Sequence, residues 1–138
     1  MSEGRVLVAD DDGLVREAVR DLLEDYGFDI VGEAEDGSAA VRLVDELLPD
    51  VVLMDMRMPV MDGIEATAEI RGRQPSVQVV MLSAYDDEGF KLDAEQAGAL
   101  CYLVKGTGGR LMRDVIRSAV DTARGLALRR VAAEGATP

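Results

Sequence analysis

Carboxylates, a hydroxyl and a lysine stand directly after apolar runs in this chain of 138 residues: Asp10-Asp11-Asp12 after RVLVA, Asp55 after VVLM, Ser83 after VQVVML and Lys105 after CYLV. Carboxylates brought to ~5 Å from two such segments repel by roughly 3 kcal/mol per pair at an effective dielectric of about 20, so the cluster needs compensating charge. A hard divalent cation suits it, because Mg²⁺ takes one or two carboxylates together with waters and a phosphate oxygen. Lys105 adds a fixed positive charge. A cation, a lysine and a serine hydroxyl aimed at one point stabilise the oxygens of a phosphoryl group in transfer, and one carboxylate can itself be the acceptor. The chain has no histidine. That excludes Ser-His-Asp and Cys-His catalysis, His-ligated zinc and an internal phosphohistidine.

The elements that must position these groups alternate. Short runs rich in β-branched residues, Arg5–Ala9, Ile30–Ala34, Val51–Met54, Val77–Leu82 and Leu100–Val104, read as strands. Between them, apolar residues recur at three- and four-residue spacing: Leu14, Val15, Ala18, Val19, Leu22 and Leu23; then Ala40, Val41, Leu43, Val44, Leu47 and Leu48; then Ile64 and Ala68. These are amphipathic helices, punctuated by Gly27, Pro49, an Asp62 cap and Pro75. The stretch from Asp86 to Ala97 is acidic and weakly amphipathic, so its helix is expected to be the least stable. The last helix gathers Leu111, Met112, Val115, Ile116, Ala119, Val120 and Ala123 on one face and is expected to end near Gly125. Strict β-α alternation implies an α/β fold, a doubly wound parallel sheet with helices on both faces. Ligands of such sheets sit beyond the C-terminal strand ends, where the polar residues above all fall.

Length bounds the chain to one domain, and the net charge of −12 opposes binding to phosphate backbones or anionic lipid. The charge is uneven, since residues 105–138 carry seven Lys/Arg against three Asp/Glu. No apolar run approaches the ~20 residues of a membrane span, and no signal peptide fits. The lone Cys101 reads as a buried small hydrophobe, and a reducing cytoplasm is the expected home.

The order Asp-Asp, MDMRMPVMDG, LSA and Lys resembles the receiver domain of bacterial two-component response regulators, the CheY-like fold, across residues 5–124. The resemblance implies a five-stranded parallel sheet in the flavodoxin-like order 2-1-3-4-5, with residues 1–125 as the receiver and 126–138 as a tail or the start of a linker. It makes Asp55 the phosphoacceptor and gives Mg²⁺ the ligands Asp11, Asp55 and the backbone carbonyl of Arg57, with Asp10 supporting through water. Ser83 and Lys105 take the positions that contact the phosphoryl group, and Tyr102 the place of the aromatic switch. Arg57 and Tyr85, each two residues beyond a site residue, are expected to tune how fast water removes the phosphoryl group.

The implied partner is a sensor histidine kinase, which chooses among receivers by first-helix residues such as Val15, Arg16 and Val19. Acidic Asp86, Asp87, Glu88, Asp93 and Glu95 are expected near basic Arg110, Arg113 and Arg117, so a homodimer on phosphorylation can pair these two helices, or instead the first and last helices. DMRMP, Asp12 and AYDDE are similar to the NarL/FixJ type, whose members act on DNA through a C-terminal helix-turn-helix that this chain does not carry. Gly106 departs from the family, which often has proline there. Two other readings are a phosphorylation-independent interaction module and a phosphatase. VADDDG also resembles the opening of haloacid dehalogenase-type phosphatases, with Asp10 as nucleophile and Asp12 as acid/base, but for their further metal motif the only aspartates after Lys105 are Asp114 and Asp121, both within a helix.

Overall fold

The computed structural model describes residues 2–135. Ten elements alternate: β1 (Arg5–Ala9), α1 (Gly13–Asp25), β2 (Asp29–Ala34), α2 (Gly37–Leu47), β3 (Val51–Met54), α3 (Gly63–Arg73), β4 (Gln78–Ser83), α4 (Glu88–Ala97), β5 (Cys101–Val104) and α5 (Gly109–Gly135). The strands form one sheet in the order β2-β1-β3-β4-β5, every neighbouring pair parallel. This is the expected flavodoxin-like fold.

Strand alternation divides the core in two. Leu7, Ala9, Val52, Met54, Val79 and Met81 pack on one face with residues of α2, α3 and α4. Val6, Val8, Val51, Leu53, Val80 and Leu82 pack on the other with α1 and α5. Because β1, β3 and β4 are covered on both faces, they read as unbroken apolar runs. Aspartate opens four helices: Asp12, Asp36, Asp62 and Asp87 accept the N–H groups of Leu14, Ala39, Glu65 and Phe90. Part of the acidic excess is therefore capping, which satisfies first-turn amides.

Several expectations are corrected. The last helix does not stop near Gly125 but runs to Gly135. Glycine inside a helix costs only about 1 kcal/mol relative to alanine, and the following Leu126-Ala127-Leu128-Arg129-Arg130 are strong helix formers. Residues 136–138 of the expected tail lie outside the described residues. In α3 the buried face is Gly63, Ala66, Thr67 and Ile70, while Ala68 is exposed. Its inward side is small, and the Thr67 hydroxyl is satisfied by the Gly63 carbonyl at 2.6 Å. Leu14, Leu48 and Leu111 are exposed rather than core. Cys101 is half-buried, because β5 is an edge strand.

Arg113 and Arg117 do not face α4. The Arg113 guanidinium lies 5.2 Å from the Tyr26 ring centroid, and Arg117 pairs with Glu3 at 3.4 Å. Both therefore sit on the α1 side of α5, whose apolar face packs against β3 and β4.

Candidate functional site

Register brings the site residues together. Ala9 pairs with Met54, Met54 with Met81, and Ser83 with Val104, so the residues after β1, β3 and β5 and the last residue of β4 reach one rim. The ladder runs on past the strands: the Asp55 N–H donates to the Ala9 carbonyl at 2.8 Å and the Lys105 N–H to the Ser83 carbonyl at 2.7 Å. Side chains on these strand ends are thereby held by backbone bonds.

One carboxylate oxygen from each of Asp10, Asp11 and Asp55 lies within 4.8 Å of the others. Asp10 and Asp55 are buried and Asp11 is exposed, so the cluster opens to solvent on one side. The Lys105 ammonium reaches both buried partners, Asp10 at 2.9 Å and Asp55 at 3.4 Å. Asp55 has its carboxyl pushed up to about 6, chiefly by burial and next by the charge of Asp10. Lys105 and the Met56 N–H, 3.0 Å from the carboxylate, oppose that shift without cancelling it. Burial alone would depress Lys105, but its bonds to Asp10 and Asp55 hold it above the ordinary lysine value. One lysine thus undercompensates three acids. A donor set of carboxylate oxygens, open on one side and short of positive charge, fits a hard divalent cation.

Asp12 belongs elsewhere. Its side chain caps α1, accepting from the Leu14 N–H at 2.9 Å. Asp114 pairs with Arg113 on α5, and Asp121 is exposed on the same helix. None of these three joins the described carboxylate cluster, which removes the acid/base and the metal motif that a dehalogenase-type phosphatase requires.

Ser83 is buried, and its Oγ accepts the Tyr85 N–H at 3.1 Å. The Tyr102 hydroxyl donates to the Tyr85 carbonyl at 2.6 Å, with its ring packed on the core. The expected switch residues are therefore joined through the backbone of Tyr85. Arg57 lies over the Tyr85 ring, 5.0 Å from its centroid. Gly106 has φ +94, a left-handed turn that proline, fixed near −65°, cannot adopt.

Three supporting residues were not singled out from the sequence as parts of the site. Arg16 donates to the Asp10 carbonyl at 2.7 Å and pairs with Glu33 and Glu35, bracing the β1–α1 loop. Nothing in its local sequence marks it. Gly63, the last residue of MDMRMPVMDG, lies so close to Asp55 that a Cβ there would meet the Asp55 carbonyl oxygen at 2.1 Å. Phe90 stands 5.7 Å from the Arg57 guanidinium, and only its apolar character in an acidic helix start signals it. Val19, expected on the partner-facing surface of the first helix, is buried in the core.

The family model for the response regulator receiver domain matches residues 6–117. The chemotaxis protein CheY of Listeria monocytogenes serovar 1/2a is 41% identical over 101 residues, 73% of this chain and 85% of that protein. The response regulator GacA of Pseudomonas aeruginosa is 41% identical over 114 residues, 82% of this chain but 53% of that protein. Among solved structures, the signal receiver domain of NarL from Mycobacterium tuberculosis superposes with a TM-score of 0.80 at 37% identity, covering 91% of this chain and 99% of that one.

Proposed function

The chain belongs to the family of response regulator receiver domains, and from that premise we propose that it is a phosphorylation-switched signalling domain with Asp55 as phosphoacceptor. The observation that carries the reading is the cluster of Asp10, Asp11 and Asp55 within 4.8 Å, with Lys105 bonded to its two buried members. A partner sensor histidine kinase presents a phosphohistidine. An Asp55 carboxylate oxygen attacks phosphorus in line, the new P–O bond forms as the P–N bond breaks, and the imidazole of the kinase departs with the electron pair. Lys105 neutralises charge on the phosphoryl oxygens throughout. Asp11, Asp55 and the Arg57 carbonyl would hold Mg²⁺, with Asp10 supporting it through water; when bound, the ion would supply the charge neutralisation that one lysine cannot.

Ser83 can keep the Tyr85 N–H on its oxygen and give its own proton to a phosphoryl oxygen. That new bond pulls on Tyr85, and through the Tyr85 carbonyl on Tyr102, so the α4-β5-α5 face shifts toward its active population. Ser83 and Tyr102 are the switch, while Arg57 and Tyr85 at the mouth tune removal of the phosphoryl group by water. The output is control of transcription through a DNA-binding domain outside this chain, in the cytoplasm, with residues 1–125 acting as the receiver and 126–138 as tail or linker. A homodimer formed on phosphorylation belongs to the same reading. No described helix is long and apolar enough to cross a membrane.

The test is intact mass after incubation with Mg²⁺ and acetyl phosphate, beside Asp55→Asn and Asp10→Asn. One phosphoryl group is expected on the wild type and none on Asp55→Asn. An Asp55→Asn variant that still gains the group overturns Asp55 as acceptor; a wild type that never gains it points instead to a phosphorylation-independent interaction module.

A further inference from the structure

Arg57, Tyr85 and Phe90 come from the loop after β3, the loop after β4 and the first turn of α4, and meet in one cluster. The Arg57 guanidinium lies 5.0 Å from the Tyr85 ring centroid and 5.7 Å from that of Phe90. The two rings meet edge to face, with centroids 5.8 Å apart and planes at 79°. Arg57 is exposed, and among the described residues no carboxylate forms an ion pair with it, so the two rings are what hold its charged end in place. Tyr85 is pinned by its backbone on both sides, to Ser83 and to Tyr102. Phe90 is the member that belongs to a helix, half-buried against the core and with its N–H on the Asp87 cap.

We propose that Phe90 is a positioning residue for the acceptor site: it holds Arg57 and Tyr85 as a lid beside Asp55, and so ties the lifetime of the phosphoryl group to the position of α4. The lifetime role rests on the function proposed above; the tie between lid and helix does not. With Phe90 in place, the guanidinium rests against both rings of the edge-to-face pair and the mouth beside Asp55 stays narrow to water. When α4 moves, Phe90 leaves Arg57, the lid loosens, and water reaches the phosphoryl group sooner. Coupling of this kind is reciprocal, so whatever steadies the lid also steadies the start of α4. A partner that grips α4 where Phe90 stands would therefore prolong or shorten the signal without touching the acceptor. A phenylalanine that merely fills space predicts something else, namely that its loss acts equally whether or not Arg57 is present.

The experiment uses the whole chain, phosphorylated with acetyl phosphate and Mg²⁺, freed of donor by desalting and followed by intact mass. Phe90→Leu keeps apolar volume but removes the aromatic face, and it is expected to speed loss of the phosphoryl group about two- to five-fold, the size of one exposed cation–π contact. Phe90→Tyr keeps the face and restores the slow rate. In an Arg57→Ala background, Phe90→Leu adds no further acceleration. Equal acceleration with and without Arg57 overturns the positioning role.

A second readout needs no phosphoryl group: amide exchange at Phe90 and Lys91 in unphosphorylated Arg57→Ala. Exchange about two- to five-fold faster than wild type is expected. Unchanged exchange overturns the tie to α4, while a wild type that takes up no phosphoryl group overturns the proposed function and the lifetime role together.

Discussion

β3 and α4 flank the same carboxylate and are held very differently. Asp55 leaves a strand whose four residues are all buried, whereas Tyr85 leads into a ten-residue helix in which Ala94 alone is buried. Acceptor geometry has to be fixed to fractions of an ångström, and a strand covered on both faces supplies that rigidity. A moving part has to come from the low end of local stability, and α4 qualifies by its few buried contacts. Rigidity and mobility are thus segregated on either side of Ser83.

The contrast can be broken most forcefully at the strand. Leu53→Ala, at a fully buried position, is expected to cost about 2–5 kcal/mol in urea unfolding. A cost below about 1 kcal/mol would mean β3 is not the rigid half.

Next comes Asp55 itself. Its carboxyl is raised from 3.8 to about 6, so between those values the folded protein binds more protons than the unfolded chain and stability falls as pH rises. Metal-free Asp55→Asn is therefore expected to be about 1–3 kcal/mol more stable than wild type at pH 7, with the difference closing near pH 4. Saturating Mg²⁺ should erase that advantage by stabilising the wild type alone. Thermal melts at two pH values, with and without Mg²⁺, check all three statements.

Removing the α4 cap with Asp87→Ala should cost about 0.5–2 kcal/mol. Amide exchange should quicken across α4 while β3 amides keep their protection, and equal loosening of both elements would erase the distinction. Smallest of all, Leu92→Ala on the exposed side of α4 should change stability by no more than about 0.5 kcal/mol by the same urea measurement.

The central strands were legible because β1, β3 and β4 are buried on both faces and leave unbroken apolar runs, with the chemistry placed directly after them, while the strand order came from the family resemblance alone. Asp10, Asp11 and Asp55 follow such strands, Ser83 ends β4 and Lys105 follows the edge strand β5, and all reach one rim. What stayed illegible depends on distance through space. Arg16 reaches back to the Asp10 carbonyl, and Phe90 meets Arg57 from the helix after the neighbouring strand, yet neither sits at a diagnostic spacing. Gly63 closes the MDMRMPVMDG motif, but nothing in that motif marks it as the point where α3 touches the Asp55 carbonyl. The end of α5 was misread because one glycine was weighed without the helix formers that follow it. Arg113 and Arg117 were misplaced because periodicity gives the face of a helix but not which neighbour that face meets.

The length of α5 has a mechanical consequence. Its last buried residue is Ala123, Leu126 and Arg130 still border residues 72–76, and the helix continues to Gly135, about 18 Å past Ala123 at 1.5 Å per residue. A tilt of about 10° pivoting near Ala123 therefore sweeps the far end through roughly 3 Å. The helix end works as a pointer on a dial: a rearrangement too small to notice at the sheet becomes, at the tip, a displacement as large as the gap between hydrogen-bonded atoms.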